Sequence, residues 1–232
     1  MNYYDKALNL YEEFGRKEGI AVQLGNISNA YLIKEDFNNA LKYYEKALKL
    51  YEELGSKEGI ASQLGNIGSV FFTIGAHDNA LKYYTKALKL NEEAGIKEGI
   101  AVQLGNIGNV HQTKGELDKA LEYYEMALKL DVELEKKDGV ATEYLNIGNV
   151  FKTEGELDKA LEYFEKALRI FKEIGNIIEE ARTLMHLGDI FVLNGRRENA
   201  IDYYLEAQGL AMNSLSLFKD INKKLNKLLG IK

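Results

Sequence analysis

Asparagine recurs beside glycine along the chain, in LGNISNA at 24–30, LGNIGSV at 64–70, LGNIGNV at 104–110 and LNIGNV at 145–150. An asparagine side chain carries two donors and an acceptor, which suits it to hold the main chain of an extended peptide. The neighbouring glycine leaves room for close approach. Alternatively, the amides bond to each other across adjacent helices and keep those helices in register. Both interpretations stay open.

The last copy of this segment carries charged residues instead. His186 and Asp189 stand where the first copy has Asn26 and Asn29, and Arg182 lies one turn before them. Arg182 and a protonated His186 could hold an anion or a C-terminal carboxylate, with Lys152 of the preceding copy nearby. The alternative is that a terminal copy of a repeated segment is simply atypical.

Catalytic and metal-binding patterns are missing from the sequence. The three histidines fall in different copies, there is no cysteine, and no His-Glu-x-x-His pattern or phosphate-cradling loop occurs. The Gly-x-x-Gly of GNIG falls within a helical pattern rather than at a strand-to-helix turn. We therefore expect no enzyme, no metal site and no cofactor.

The overall composition restricts the partners. Net charge is −6, with 36 acidic and 30 basic residues, so no general attraction to nucleic acid or anionic lipid is expected. Paired tyrosines such as Tyr43-Tyr44 have no basic stripe beside them, which favours packing over base stacking. No apolar run is long enough to cross a membrane, and the acidic start does not resemble a signal peptide. We expect a cytoplasmic protein that binds neither nucleic acid nor membrane.

The elements that position these side chains repeat at a fixed interval. At an offset of 40 residues, small residues align in two registers, at Ala7, Ala47, Ala87, Ala127, Ala167 and Ala207 and at Ala40, Ala80, Ala120, Ala160 and Ala200. Such a period is typical of a solenoid, in which each repeat packs only on its neighbours. Small residues at fixed points indicate where neighbouring helices approach closely.

Each repeat contains two helical patterns. In the first, Ile20, Leu24, Ile27 and Tyr31 form one apolar stripe at helical spacing. The second pattern runs from about Phe37 to Leu54. Gly55 and Gly115 stand where a helix end needs a left-handed residue.

The repeat resembles the tetratricopeptide repeat, whose pattern of large apolar, Leu-Gly, aromatic and alanine positions falls, in the third copy, on Leu104, Ile107, Gly108, His111, Ala120, Tyr124 and Ala127. His111 replaces an aromatic, Ser28 replaces the glycine of the first copy, and the final proline of the family is missing throughout. Without that proline the second helix can continue, which accounts for a repeat of 40 residues. The resemblance implies an all-α, right-handed superhelical solenoid of stacked antiparallel helix pairs that serves as a protein-binding scaffold.

In such a superhelix the first helices line the inner surface, so the face opposite the apolar stripe looks into a concave groove. Only Lys152, Arg182 and Asp189 are charged on that face, where a solvated helix would be rich in lysine and glutamate. The predicted peptide-binding residues of this groove are Asn26, Asn29, Asn66, Asn106, Asn109, Asn146, Asn149, Lys152, Arg182, His186 and Asp189.

The two ends depart from the repeat. We expect the solenoid over residues 1–213, with an incomplete first repeat at 1–14 that matches only a second helix, followed by five full repeats. Residues 214–232 form one amphipathic helix, with Leu217, Ile221 and Leu225 on one face and lysines opposite. We interpret it as a capping helix, with a membrane-surface helix as the alternative.

These observations predict a protein-protein interaction module that binds an extended peptide or a helix of a partner protein in its concave groove. One alternative is a self-assembling structural scaffold, a homo-oligomer formed through residues 1–14 or the C-terminal helix. A second is a regulatory module that senses a peptide and tightens around it. Specificity is expected towards the last two repeats, because the first three are nearly alike.

Overall fold

The structure, a computed structural model, describes residues 2–230 of the chain. Met1, Ile231 and Lys232, which belong to the predicted first and last segments, lie outside the described residues. The described chain forms twelve α-helices and no strand. Their bounds are α1 Asn2–Glu13, α2 Lys17–Ile33, α3 Phe37–Leu54, α4 Lys57–Thr73, α5 His77–Ala94, α6 Lys97–Thr113, α7 Leu117–Glu133, α8 Lys137–Glu154, α9 Leu157–Ile174, α10 Ile177–Leu193, α11 Arg197–Leu210 and α12 Leu215–Leu229, with one 3₁₀ turn at Ala211–Asn213.

Local sequence signals account for the helix ends. Gly55 and Gly115 adopt φ values of 65° and 76° just beyond a helix, which confirms the left-handed residues predicted there. At three helix starts a side chain caps the first turn. Asp36 accepts a hydrogen bond from the Asn39 N–H and Ser56 accepts one from the Gly59 N–H, both at 3.2 Å, and Asn176 accepts one from the Glu179 N–H at 3.3 Å. The turns therefore stay short, and within each unit helices that follow one another in the chain pack together.

The chain divides into two compact units, residues 1–123 and residues 124–232. In the first unit α2 packs on α3 and α4 on α5, and in the second unit α8 packs on α9 and α10 on α11. The alanines aligned by the 40-residue period from Ala40 onward are fully buried, as expected where two helices approach closely. The predicted all-α fold of stacked helix pairs is confirmed.

Glycine and a ring pack together inside a helix pair. In the first unit Gly68 of α4 lies against the buried Tyr84 of α5, and in the second unit Gly188 of α10 lies against Tyr204 of α11. A glycine here gives the large ring space at the crossing of the two helices. The aromatic position of the third repeat is also core, since His111 is buried and stacks on Tyr123 with ring centroids 5.3 Å apart.

The core of the second unit extends into α12. Leu217, Ile221 and Leu225 are buried in the same cluster as residues of α9, α10 and α11, and Phe218 and Leu228 pack against it. The predicted apolar face of this helix therefore lies on the helix pair before it. Among the residues that the structure describes, no helix combines the length and the hydrophobicity needed to cross a bilayer.

Candidate binding surface

A polar cavity of about 350 Å³ lies in the first unit, between α4 and α6 at the end of α5. It brings together two of the predicted site residues, Asn66 and Asn106, both half-buried. Two of its lining residues, Glu58 and Glu98, are charged. The full lining is Glu58, Ser62, Gly65, Asn66, Ser69, Asn91, Ile96, Glu98, Gly99, Val102, Gln103 and Asn106.

Two of the glycines beside the asparagines, Gly25 and Gly65, face a glutamine of the protein. A Cβ at position 65 would lie 2.9 Å from Gln103 Nε2, and one at position 25 would lie 3.6 Å from Gln63 Oε1. Both glutamines come from the next repeat and are buried. At Gly65 the space is therefore taken up by a glutamine of the protein itself, whereas a Cβ at position 25 would be in ordinary van der Waals contact with Gln63.

In the first two segments, the second polar position is bound within its own helix pair. Asn29 Oδ1 accepts a hydrogen bond from the Tyr44 hydroxyl, and Ser69 Oγ accepts one from the Tyr84 hydroxyl at 3.1 Å. Burial raises the pKa of Tyr44 to about 12, so the hydroxyl stays protonated and donates. This position closes the helix pair, a structural role that the amide hypotheses did not include.

A different bond holds Asn146 in the second unit. Its Nδ2 donates to Glu143 Oε2 at 3.1 Å. Glu143 is only 6% exposed, and burial together with the nearby Asp131 carboxylate raises its pKa to about 7. The bonds of Asn29 and Asn146 thus join an asparagine to tyrosine and to glutamate rather than to a second asparagine.

A second cavity, of about 530 Å³, lies in the second unit among α8, α10, α11 and α12. The predicted residues Lys152 and Asp189 line it. Asp189 accepts hydrogen bonds from the Tyr204 hydroxyl and from Lys224 Nζ, each at 2.7 Å, and Lys152 Nζ is 3.8 Å from its other oxygen. The full lining is Lys152, Asp189, Val192, Leu193, Tyr204, Lys224, Lys227 and Leu228.

His186 differs from its predicted state. Its ring stacks on Phe164, with centroids 5.4 Å apart, and Lys152 Nζ lies 3.0 Å from its Nδ1. Burial, reinforced by the Lys152 charge, lowers its pKa to about 3. The prediction of a protonated His186 is therefore wrong: the ring is neutral at physiological pH and accepts a hydrogen bond from Lys152.

The other proposed anion-binding residue, Arg182, points to a partner of its own. Its Nε lies 3.1 Å from Glu179 Oε2, one turn earlier on α10. Burial also lowers the pKa of Lys152, against the opposing effect of Asp189. Of the three residues predicted to hold an anion, Lys152 alone lines the cavity.

The repeats coincide with matches to a known family model. The tetratricopeptide repeat model matches residues 19–93, 59–133, 99–173 and 139–213, which together extend over most of the chain. The chain belongs to the tetratricopeptide repeat family. Comparison with curated proteins found no match to this sequence.

Solved tetratricopeptide repeat structures share the fold at low identity. BtubC (BKLC) from P. vanneervenii is 21% identical, with a TM-score of 0.77, over 92% of this chain and 91% of that one. A Rap protein complexed with Competence and Sporulation Factor is 17% identical, with a TM-score of 0.74, over 92% of this chain. The Rap conjugation gene regulator of plasmid pLS20, in complex with the Phr* peptide, is 19% identical, with a TM-score of 0.71, over 90% of this chain.

This tetratricopeptide repeat chain spans 65% and 63% of the lengths of those two Rap proteins. At these identities the likeness shows the fold alone. What each of those proteins binds is a property of that protein.

Several residues of both cavities were not anticipated from the sequence. The sequence predicts the lysines of α12 on its solvent side, yet Lys224 and Lys227 line the second cavity. A signal did exist for the buried glutamines: the 40-residue alignment puts Gln23, Gln63, Gln103, Glu143 and Thr183 in one column. A column of polar residues next to the apolar stripe indicates side chains that cross between repeats of a tetratricopeptide array.

Proposed function

We propose that this tetratricopeptide repeat protein is a protein-interaction module that holds an extended segment of a partner by the partner's main chain. The observation that supports this most directly is the meeting of Asn66 and Asn106 in one half-open polar cavity. Two Rap proteins of the same fold, complexed with the Phr* peptide and with Competence and Sporulation Factor, support the class of function.

The physical argument concerns what a peptide needs when it leaves water. Every residue of an extended segment carries an N–H donor and a C=O acceptor that must find partners on binding. Asn66 and Asn106 offer both kinds of group, and Ser62 and Ser69 add hydroxyls beside them. Side chains of this kind bind a main chain without selecting particular residues.

Charge adds a preference to this site. Glu58 and Glu98 belong to the cavity lining, and no lysine or arginine does. A segment that presents N–H donors or a basic side chain is therefore favoured over an acidic one. The proposal extends to Asn26, Asn29 and Asn109 in the first unit and, separately, to Asn146 and Asn149 in the second.

The test is a loss of peptide affinity without a loss of fold. Linear peptides selected from a displayed library are measured by fluorescence anisotropy against the intact chain and against a double variant, Asn66→Ala with Asn106→Ala. Two lost hydrogen bonds should weaken binding roughly tenfold or more. Helical circular dichroism should stay unchanged, because neither amide is needed by the helix pairs.

A matched control uses two exposed asparagines on second helices, Asn38→Ala with Asn199→Ala. This control should bind like the unmodified chain. Equal affinity for all three proteins would refute a role for Asn66 and Asn106. Early melting of the first double variant would instead mean that the amides support the fold.

A second candidate function, self-assembly, is favoured by the exposed aromatic residues of α1. Tyr3 is 85% exposed and Phe14 is 67% exposed. The residue equivalent to Tyr3 in the next repeat, Tyr43, stacks on Tyr31 with ring centroids 5.4 Å apart. An identical chain could pack a side chain against the exposed Tyr3 ring.

Light scattering after size exclusion, at several concentrations, decides this candidate. A concentration-dependent oligomer that is lost in Tyr3→Gln with Phe14→Gln would support it. The control carries the same change at exposed apolar positions elsewhere, Met126→Gln with Leu205→Gln. A monomer at every concentration would exclude self-assembly as the function.

A further inference from the structure

The cavity of the second unit combines an apolar wall with a group of lysines. Val192 and Leu193 end α10 and contribute exposed aliphatic surface, with Leu193 60% exposed, and Leu228 of α12 faces the same space. An apolar ligand that covers exposed aliphatic side chains in a concave site removes them from water, and this burial favours binding. The wall therefore suits an aliphatic group.

The charges of this cavity are unbalanced. Three lysines, Lys152, Lys224 and Lys227, face one carboxylate, Asp189, which leaves a net charge of +2. Lys224 and Lys152 are within 2.7 Å and 3.8 Å of Asp189 oxygens. Lys227 forms no ion pair with any residue that the structure describes, so its ammonium group remains available to an incoming anion.

The neighbouring His186 does not compete for that anion. It is neutral and accepts a hydrogen bond from Lys152, so it carries no charge of its own into the cavity. Tyr204 is likewise occupied, because its hydroxyl donates to Asp189 at 2.7 Å. Tyr204, Lys152 and Lys224 are thus arranged around Asp189, and the unpaired positive charge of Lys227 lies on α12.

We propose that this cavity binds a carboxylate carried on an aliphatic group, with the carboxylate at Lys227 and the aliphatic group against Val192, Leu193 and Leu228. A single unpaired lysine matches one negative charge, and a volume of about 530 Å³ is that of a small-molecule site. A free alkyl carboxylate and the C-terminal aliphatic residue of a peptide share this chemistry. The site is separate from the asparagine-lined cavity and does not depend on the proposed function.

Isothermal titration calorimetry on the full chain tests whether binding needs both the carboxylate and the aliphatic group. Two probes of eight carbons, octanoate and octanol, differ in the head group. We expect saturable one-to-one binding of octanoate and about tenfold weaker binding of octanol, because the charge-assisted hydrogen bond is lost. Equal binding of octanoate and octanol would overturn the proposal.

Matched variants place the probe in the cavity. Lys227→Gln should reduce octanoate affinity about tenfold, while Lys223→Gln, an exposed lysine on the same helix outside the cavity, should leave it unchanged. Leu193→Ser should weaken the binding of octanoate and octanol alike. Leu215→Ser, at a leucine that is 68% exposed but outside the lining, should weaken neither. Equal losses in Lys227→Gln and Lys223→Gln would mean general charge attraction and would contradict the site.

The two sources of the ligand are separated by a further pair of probes, N-acetyl-leucine and its amide. If N-acetyl-leucine binds more tightly than octanoate and its amide does not bind, the ligand is the C-terminal residue of a peptide. Octanoate binding that exceeds that of N-acetyl-leucine identifies a free alkyl carboxylate. Either order supports the proposal, and failure of both acids to bind refutes it.

Discussion

At the scale of single residues, Glu143 departs most from its counterparts. The same column holds Gln63, Gln103 and Thr183 in other repeats, all neutral and all buried. Glu143 is buried beside Asp131, and burial with that like charge raises its pKa from 4.5 to about 7. An ionised carboxylate in this position costs folding free energy that a neutral amide does not.

The sign of this effect sets the pH dependence. Below the unfolded pKa of 4.5 the carboxyl is protonated in both states and costs nothing. Between that value and the folded pKa of about 7 the unfolded state ionises first and gains stability, and above about 7 the cost of folding stays constant. Replacing Glu143 by Gln should therefore raise the free energy of unfolding at about pH 8 by up to about 3 kcal/mol, and change it little at about pH 4. Urea unfolding at the two pH values measures this difference.

The control for that experiment is Glu125→Gln, an exposed glutamate on α7. It should follow the unmodified chain at both pH values. If Glu143→Gln shows the same pH dependence as the unmodified chain, Glu143 is already ionised in the folded protein at low cost, and the account of this residue is wrong.

At the scale of elements, two helix ends have a glutamate in the left-handed conformation that glycine adopts in the other repeats. Glu35 and Glu135 adopt φ values of 59° and 56° at helix ends, where the equivalent residues of other repeats are glycines. The left-handed region costs a residue with a Cβ about 1 kcal/mol relative to glycine. Glu35→Gly should therefore raise the free energy of unfolding by up to about 1 kcal/mol.

The same substitution inside a helix should have the opposite sign. Glu45 is exposed in α3. Its replacement by glycine should lower the free energy of unfolding by about 1 kcal/mol, because glycine has a low helix propensity. Thermal or urea unfolding of both variants provides the comparison. Destabilisation by Glu35→Gly would show that its side chain contributes more than its backbone strain costs.

The crossing of a helix pair gives a third prediction. A Cβ at position 68 would lie 2.7 Å from the Tyr84 ring, whereas one at position 209, inside α11, would meet nothing within 4 Å. Gly68→Ala should lower the free energy of unfolding by about 1 to 3 kcal/mol through overpacking. Gly209→Ala should raise it by up to about 1 kcal/mol, and a loss in both variants would contradict the contact.

At the scale of the whole molecule, the fold follows from a few properties of the sequence. The 40-residue period, the alanines at close crossings and the glycines at helix ends each determine a backbone feature locally. His111 in an aromatic position and the apolar face of α12 were predictable for the same reason. Each of these signals depends on one residue and its own helix.

The candidate site was less predictable because it depends on contacts between helices. Gln103 fills the space beside Gly65, and Tyr44 donates a hydrogen bond to Asn29. Both contacts join side chains of different helices. The neutral state of His186 follows from burial against Phe164 and Lys152. The cationic side of the second cavity comes from α12, outside the repeats, so no periodic signal points to it.

The central proposal is that the amides of the first unit recognise main chain, and backbone N-methylation tests it most directly. A selected linear peptide and its singly N-methylated analogues are measured against the unmodified chain and the Asn66→Ala variant. We predict that methylation at one position or more weakens binding roughly tenfold, and that this penalty shrinks when Asn66 is alanine, as the coupling of a double-mutant cycle requires. Methylation tolerated at every position, or a penalty of the same size in both proteins, would contradict main-chain recognition by Asn66.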